Sequence, residues 1–324
     1  MIYSSHLIFQ TIKDLPITIL AVNPRIKHVI PGIMKAAQDL QAIVGFEIAK
    51  SELTYTGYTP KQFVETIINY AEKNKITIPF FIHADHLTVK KESEIEEVKK
   101  LIIDELEAGF TSFAIDASYL PLEKNIEITI ELTQLIPKSL GLEVEVGEIS
   151  KEKSLTTVEE AKKFVLTLIQ HNVYPDLLAI NNGSKHGNYG PNEKVYIDLE
   201  RTKEIYREIL PYGLAGIAQH GTTGTPEEIL NKFKESGIRK ANVATEWQNI
   251  VHRHLPATLK KEIEDWCKKM NKDIKYASVV FKDEFDHLAE EFVKEIEAEA
   301  YSVAQNFIQI FNSVGSANIF IERL

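Results

Sequence analysis

Three titratable side chains end one short apolar segment of this 324-residue chain. The segment FFIHADHLTV (80–89) runs from two phenylalanines into His83, Asp85 and His86. Charged side chains are rarely buried unless they are paired or bind a ligand. The cluster therefore indicates metal binding or proton transfer as the chemistry of this segment.

Two further histidines follow apolar segments later in the chain, so His86, His186 and His220 come from three separate loops. Three neutral imidazoles that converge on one point bind a catalytic zinc ion and leave its fourth position open for water or substrate. Imidazole also suits zinc better than magnesium or calcium. The alternative is that each histidine is an ordinary hydrogen-bonded loop residue. The three together favour a metal site.

Asp85 is the candidate for proton transfer. A carboxylate beside a divalent cation stays ionised and can exchange a proton with a bound substrate. The alternative is that Asp85 caps a helix or orients a histidine. We expect His83 to support the site and not to bind the metal.

Glycine-rich and hydroxyl-rich turns form a second set of candidates. They are HGTTGTPEEI (220–229), NVATEWQN (242–249) and NNGSKHGNYG (181–190). Backbone amides between a strand and a helix N-terminus bind anions. Any one of these segments could be only a turn, but together they predict a phosphate bound beside the metal.

The elements that must position these residues are eight short apolar, β-branched segments that alternate with amphipathic helical patterns. This alternation predicts a (β/α)8 TIM barrel, although an open doubly wound sheet has the same alternation. In a barrel, the C-terminal strand ends face the active site. The predicted strands are 17–22, 42–49, 79–84, 112–117, 142–146, 177–181, 213–220 and 239–244. Their ends bear Glu47, His83, Asp85, His86, Asp116, Glu145, His186, His220 and Asn242.

Capping residues predict three of the helices. The first is 60–74, after Thr59 and with Pro60 at its first position; the second is 157–170, after Thr156 and with Glu159 in the capping box; the third is 226–237, ending at Gly237. Beyond residue 250 the pattern is helical only. We therefore predict a catalytic barrel over residues 1–250. Residues 251–324 would form a helical extension that packs on the barrel or on a partner subunit.

Composition excludes several classes of function. The formal net charge is −10, which argues against nucleic-acid binding through a general basic field. The single cysteine, Cys267, rules out a disulfide within the chain and suits a reducing compartment. No segment has the length and apolarity of a membrane span, and the first residues lack the basic region of a signal peptide. We therefore expect a cytoplasmic protein without membrane or nucleic-acid partners.

The chain resembles the class II, zinc-dependent ketose-bisphosphate aldolases, the group that includes fructose- and tagatose-bisphosphate aldolases. The resemblance covers about 165 residues. Five segments carry it, in this order: HADH (83–86), AIDAS (114–118), EVEVGEI (143–149), KHGNYG (185–190) and HGTTGTPEEI…GIRKANVATE (220–246).

The resemblance implies reversible cleavage of a ketose 1-phosphate or 1,6-bisphosphate to dihydroxyacetone phosphate and an aldehyde through a zinc-stabilised enediolate. Such an enzyme acts in carbohydrate metabolism, including glycolysis, as a homodimer or homotetramer. The implied zinc ligands are His86, His186 and His220, with Asp85 as the acid/base and Asp116 and Glu145 as a secondary metal site. The implied phosphate and cation site, which can include Na⁺ or K⁺, consists of Gly187, Gly221, Thr223, Asn242 and Thr245.

One loop departs from the family pattern. Relatives carry a Gly-Gly pair and paired acids after the Glu-x-Glu strand, where a glutamate exchanges a proton with the enediolate carbon. Here the segment is GEISKEKSLT (147–156), so Glu148 and Glu152 are the acidic candidates, and Glu152 lies nearer the family position. Lys185 also puts a charge beside the site. These changes leave two alternatives: a metal-dependent sugar-phosphate epimerase or isomerase on the same scaffold, and a non-catalytic aldolase-like subunit.

Overall fold

Eight parallel strands form a closed barrel. The computed structural model describes residues 1–148, 154–185, 187–190 and 193–324. Each strand pairs with the next, and β1 pairs with β8, so the sheet has no open edge. This closure confirms the predicted (β/α)8 barrel and excludes the open doubly wound sheet. The strands are β1 Ile19–Val22, β2 Val44–Ala49, β3 Phe80–Thr88, β4 Ser112–Asp116, β5 Gly141–Val146, β6 Leu177–Ile180, β7 Gly216–Gln219 and β8 Ile238–Val243.

Helices surround the barrel and continue beyond it. The α-helices are α1 Ser5–Ile12, α2 Ile30–Asp39, α3 Lys50–Thr56, α4 Pro60–Lys73, α5 Ile95–Ala108, α6 Leu122–Thr133, α7 Val158–Gln170, α8 Leu199–Ile209, α9 Glu227–Leu230, α10 Thr245–Arg253, α11 Ala257–Met270, α12 Ala277–Val280, α13 Lys282–Asp286, α14 Glu290–Ile310 and α15 Ser316–Arg323. Short 3-10 helices occur at Lys27–Val29, Glu92–Glu94, Leu210–Tyr212, Lys234–Ser236 and Ile274–Tyr276. None of the described helices is long and apolar enough to cross a membrane.

The structure confirms the predicted N-cap of α4 but places the N-cap of α7 one residue later than predicted. Thr59 caps α4 as predicted, with its hydroxyl accepting from the Gln62 amide. The cap of α7 is one residue later than predicted, at Thr157, with Glu160 as the reciprocal partner. Thr156 is not available as the cap because its hydroxyl donates to the Val146 carbonyl, at 2.9 Å, and accepts from the Asn181 amide, at 3.0 Å. Tertiary contacts therefore shift this helix start.

The predicted helix over 226–237 is mostly wrong. Only the four-residue helix α9 forms, and a 3-10 turn follows it before the left-handed Gly237 ends the unit as predicted. The amides of Lys232 and Phe233 bond to carbonyls three residues back, which tightens the chain into turns. β3 also differs, because it continues to Thr88, four residues beyond its predicted end, and so includes Asp85 and His86.

The C-terminal segment packs on the barrel through α14. Gly32 of α2 allows a close approach, since a Cβ there would lie 2.2 Å from the Glu297 carbonyl oxygen and 2.8 Å from the Tyr301 amide nitrogen. Buried Ile296 and Ala300 lie on the same part of α14. The predicted division into residues 1–250 and 251–324 stays a prediction, and its boundary falls within α10.

Candidate active site

Asp85 and His86 both line one cavity although they are adjacent in β3. In a regular strand, neighbouring side chains point to opposite faces. Here the pairing of β3 with β4 shifts register between Ala84 and Leu87, and His86 adopts a positive φ of 44°. A bulge of this kind re-aims a side chain and is common beside active sites. The irregularity brings both residues to the same site.

Two amide side chains hold the Asp85 carboxylate. Asn23 Nδ2 lies 3.2 Å from Asp85 Oδ2, and Asn242 Nδ2 lies 3.1 Å from Asp85 Oδ1. Burial works to raise the pKa of Asp85, but nearby positive charge, from His86 first and also from Lys240, outweighs it and holds this pKa below its ordinary value. Asp85 is therefore an ionised, buried carboxylate with both oxygens oriented.

His220 follows β7 and is held on both sides of its ring. Its Nε2 lies 3.0 Å from Glu143 Oε1, and its Nδ1 lies 3.2 Å from Asn242 Nδ2. The rings of His220 and His86 have centroids 4.1 Å apart. The ligand atoms of Asp85, His86 and His220 all lie within 4.8 Å of one another, so this group could hold a metal ion.

A second metal-competent group shares His86. His86 Nδ1 lies 3.4 Å from Asp116 Oδ2 and 3.2 Å from Glu145 Oε2. Ser118 and Thr88 donate to the Asp116 carboxylate, at 2.7 and 3.0 Å. The predicted secondary metal residues Asp116 and Glu145 therefore lie together, and the set of His86, Asp116 and Glu145 has donor atoms within 4.8 Å of one another.

The electrostatics of this cluster fit a cation. Burial opposes a charge on His86, but the carboxylates of Asp85 and Glu145 raise its pKa well above the ordinary value. Burial and the Asp116 charge raise the pKa of Glu145 to about 7. Surroundings that hold a proton on an imidazole also favour a metal ion, which binds the neutral ring and displaces that proton. Imidazole donors in general suit zinc and neighbouring transition metals better than magnesium.

Two predicted site residues, His186 and Glu152, lie outside the described residues. Their neighbours are described in part. Gly187 has a positive φ of 86° and lines the cavity, and Lys185 contacts Glu193 and lies 5.0 Å from the Tyr189 ring centroid. The charge of Lys185 is thus paired within its own loop.

The cavity has a volume of about 600 Å³. Its lining includes the predicted phosphate and cation residues, which are Gly187, Gly221, Thr223, Asn242 and Thr245. Thr245 is the first residue of α10, whose N-terminus favours an anion. The structure thus brings the predicted phosphate residues and the described metal-ligand candidates, His86 and His220, to the same cavity.

The cavity lining also contains residues that the sequence pattern did not identify. Arg25 Nε lies 2.7 Å from Glu52 Oε1, and Asn23 Nδ2 lies 2.9 Å from Glu52 Oε2. Lys275 and Tyr276, from the helical extension, also line the cavity. Asn23 could have been found because it directly follows β1, like the other strand-end candidates. Lys275 and Tyr276 had no such signal.

A buried ionic cluster lies below this cavity. Lys240 Nζ contacts Glu47 Oε2 at 3.1 Å and Glu143 Oε2 at 2.8 Å, and all three side chains are buried. His83 Nδ1 pairs with Ser112 Oγ at 2.7 Å. Glu47, His83 and Asp85 also have donor atoms within 4.8 Å of one another. The Lys240 ammonium, however, already lies against Glu47. His83 is buried in the barrel core and does not line the cavity.

The chain is similar to known class II fructose-bisphosphate aldolases. The protein-family model described as "Fructose-bisphosphate aldolase class-II" matches residues 4–316. A fructose-bisphosphate aldolase of Streptococcus pneumoniae serotype 4 is 32% identical over 225 residues, which cover 67% of this chain and 70% of that protein.

Solved structures share the fold over nearly the whole chain. The YdjI aldolase of Escherichia coli K12 has a TM-score of 0.71 at 19% identity, with 98% of this chain and 100% of that chain covered. A fructose-bisphosphate aldolase of Campylobacter jejuni has a TM-score of 0.69 at 16% identity, with 97% of each chain covered. At these identities the structural similarity concerns the fold alone.

Proposed function

The chain belongs to the class II fructose-bisphosphate aldolase family and is a carbon–carbon lyase, and from this premise we propose how its own residues cleave a phosphorylated ketose. The substrate class is a ketose 1-phosphate or 1,6-bisphosphate, and the products are dihydroxyacetone phosphate and an aldehyde. The observation that carries the proposal is the ionised Asp85, oriented by two amides, beside two imidazoles in one cavity.

His86, His186 and His220 would hold a zinc ion. Zinc bound there supplies a Lewis acid for the carbonyl oxygen of the ketose. Asp116 and Glu145 would offer a secondary position for a metal. The donor chemistry and the carboxylate-rich surroundings of His86 support this assignment.

Asp85 would accept the proton of the C4 hydroxyl as the C3–C4 bond breaks. The amides of Asn23 and Asn242 orient both of its oxygens, so that the base is held ready without rearrangement. In the reverse direction Asp85 returns the same proton to the aldol oxygen. Proton exchange at the enediolate carbon needs a second group, for which Glu152 and the cavity-lining Glu148 are the candidates.

The phosphate of the substrate would bind at the wall formed by the loop after β7 and the N-terminus of α10. Gly187, Gly221, Thr223, Asn242 and Thr245 are the proposed contacts, with Na⁺ or K⁺ bound beside them. Binding energy at this remote group orients the reacting carbons. We also expect a homodimer or homotetramer, which light scattering after size-exclusion chromatography would test.

The test is a cleavage assay on the purified, zinc-loaded protein. Fructose 1,6-bisphosphate, tagatose 1,6-bisphosphate and fructose 1-phosphate are supplied in turn, and dihydroxyacetone phosphate is measured with a coupled reductase. We expect release from at least one substrate and its loss after removal of zinc by chelation. No release from any of them with added zinc would contradict the proposal. Solvent deuterium entering the sugar without cleavage would instead indicate the epimerase or isomerase.

A further inference from the structure

One buried carboxylate connects the ionic cluster in the barrel core to the proposed metal site. Glu143 lies on β5 and uses its two oxygens differently. Oε1 is 3.0 Å from His220 Nε2, while Oε2 is 2.8 Å from Lys240 Nζ. Lys240 is itself held by Glu47 at 3.1 Å. Contacts between β2, β5 and β8 are possible only across the inside of a closed barrel, so the cluster depends on the fold.

Hydrogen bonding around His220 determines which ring nitrogen bears the proton. The Asp85 carboxylate only accepts hydrogen bonds, so the Asn242 atom that lies 3.1 Å from it is the amide nitrogen. That same nitrogen lies 3.2 Å from His220 Nδ1, which must then be the acceptor. Nε2 therefore carries the proton and donates to Glu143. Both sides of the ring favour the same tautomer, with its lone pair on Nδ1.

We propose that Glu143, held in place by Lys240, is a positioning residue that fixes His220 in the Nε2–H tautomer and presents Nδ1 as the metal-ligand atom. The inference rests on the proposed metal site. A metal-bound histidine commonly donates its other ring N–H to a carboxylate, which sets ring orientation and ligand basicity. Lys240 keeps Glu143 from turning away, because its ammonium contacts the second carboxylate oxygen of Glu143 and is itself held by Glu47.

His83 belongs to the same support. Its Nε2 lies 3.7 Å from Glu143 Oε2, and its Nδ1 pairs with Ser112 Oγ, which in turn lies 2.6 Å from Ser5 Oγ. The chain of contacts runs from α1 at the base of the barrel to the ring of His220. It gives His83 a structural role and not a ligand role.

The test measures metal affinity and metal geometry as well as activity. Zinc affinity is measured by competition with a chromophoric chelator for the wild type and for Glu143→Gln, which keeps the side-chain size. We expect binding about 10- to 100-fold weaker in the variant, the usual effect of losing such a partner. The visible spectrum of the cobalt-substituted protein should also change, because the orientation of one ligand changes. Glu105→Gln is the matched control, since Glu105 is buried on α5 and makes no contact with this cluster in the described part of the chain.

Variants of Lys240 distinguish the loss of the Glu143–His220 contact from general damage to the core. The variant Lys240→Met removes the cation and should also weaken zinc binding. If Lys240→Met fails to fold, the triple variant with Glu143→Gln and Glu47→Gln removes all three charges of the cluster, and it should recover the melting temperature in chelator while zinc binding stays weak. Wild-type zinc affinity and cobalt spectrum in the Glu143→Gln variant would overturn this inference alone. A wild-type protein that binds no zinc would overturn the proposed metal site with it.

Discussion

Adding a single methyl group at Gly221 should displace one active-site loop relative to another and so lower the activity. Gly221 directly follows His220, has a positive φ of 68°, and lies against the backbone of Lys185 in the loop after β6. A Cβ at Gly221 would lie 2.3 Å from the Lys185 carbonyl oxygen and 2.7 Å from its carbonyl carbon. These are backbone atoms, so the Gly221→Ala variant must move one loop relative to the other.

The size of the effect follows from this contact. A carbon normally approaches a carbonyl oxygen to about 3.3 Å, so the loops must separate by about 1 Å. A misplacement of about 1 Å at a reacting centre lowers the rate about 100-fold. That factor corresponds to about 2.7 kcal/mol of transition-state stabilisation. The left-handed backbone adds about 1–2 kcal/mol of strain for any residue with a Cβ.

Gly213 supplies the matched control, because its φ is 97° and, in the described part of the chain, no atom beyond its sequence neighbours lies within 4 Å of the added Cβ. Gly213→Ala therefore has the backbone strain without the collision. Both variants should melt a few degrees lower, about 2–4 °C for each kcal/mol. Only Gly221→Ala should lose kcat/KM, measured as release of dihydroxyacetone phosphate at saturating zinc. Similar kcat/KM values for the two variants would refute the reasoning, since strain alone would then account for the change.

Three further predictions concern carboxylates. Asp85→Asn should lower kcat/KM about 10²- to 10⁴-fold, which is the usual contribution of a general base. Substrate binding, measured by direct titration, should be retained. Unchanged turnover would exclude Asp85 as the base. Glu105 is buried, neither of its oxygens has a hydrogen-bond partner among the described residues, and burial raises its pKa well above the ordinary value of 4.5. The contribution of Glu105 to stability is fully present below pH 4.5 and is lost as the pH rises through its folded-state pKa. In urea unfolding, the Glu105→Gln variant should therefore lose less stability with rising pH than the wild type. Parallel pH profiles of the two proteins would contradict this. Glu148→Gln and Glu152→Gln separate the two candidates for the enediolate proton, because only the correct one should slow deuterium exchange into dihydroxyacetone phosphate while binding is unaffected.

Local patterns in the sequence were enough to predict the barrel and to select several residues that line the candidate site. Alternation of apolar strands with amphipathic helices predicts the (β/α)8 order, and the rule that strand C-termini face the active site selects Asp85, His86 and His220 without any coordinates. Pro60 with Thr59 predicts a helix start, since both act within one turn. Where only neighbouring residues are involved, periodicity and capping determine the outcome.

Tertiary structure decided the features that depend on contacts across the barrel. Thr156 was the expected cap of α7, but its hydroxyl bonds to Val146 and Asn181, so the cap moved to Thr157.

Asp85 and His86 line one cavity only because the register of β3 against β4 shifts between them. The sequence alone determined which residue types stand at the strand ends and in what order. Only closure of the barrel decided that Glu143 and Lys240, almost 100 residues apart, meet beneath His220, because a buried charge is stable only where another strand supplies its partner.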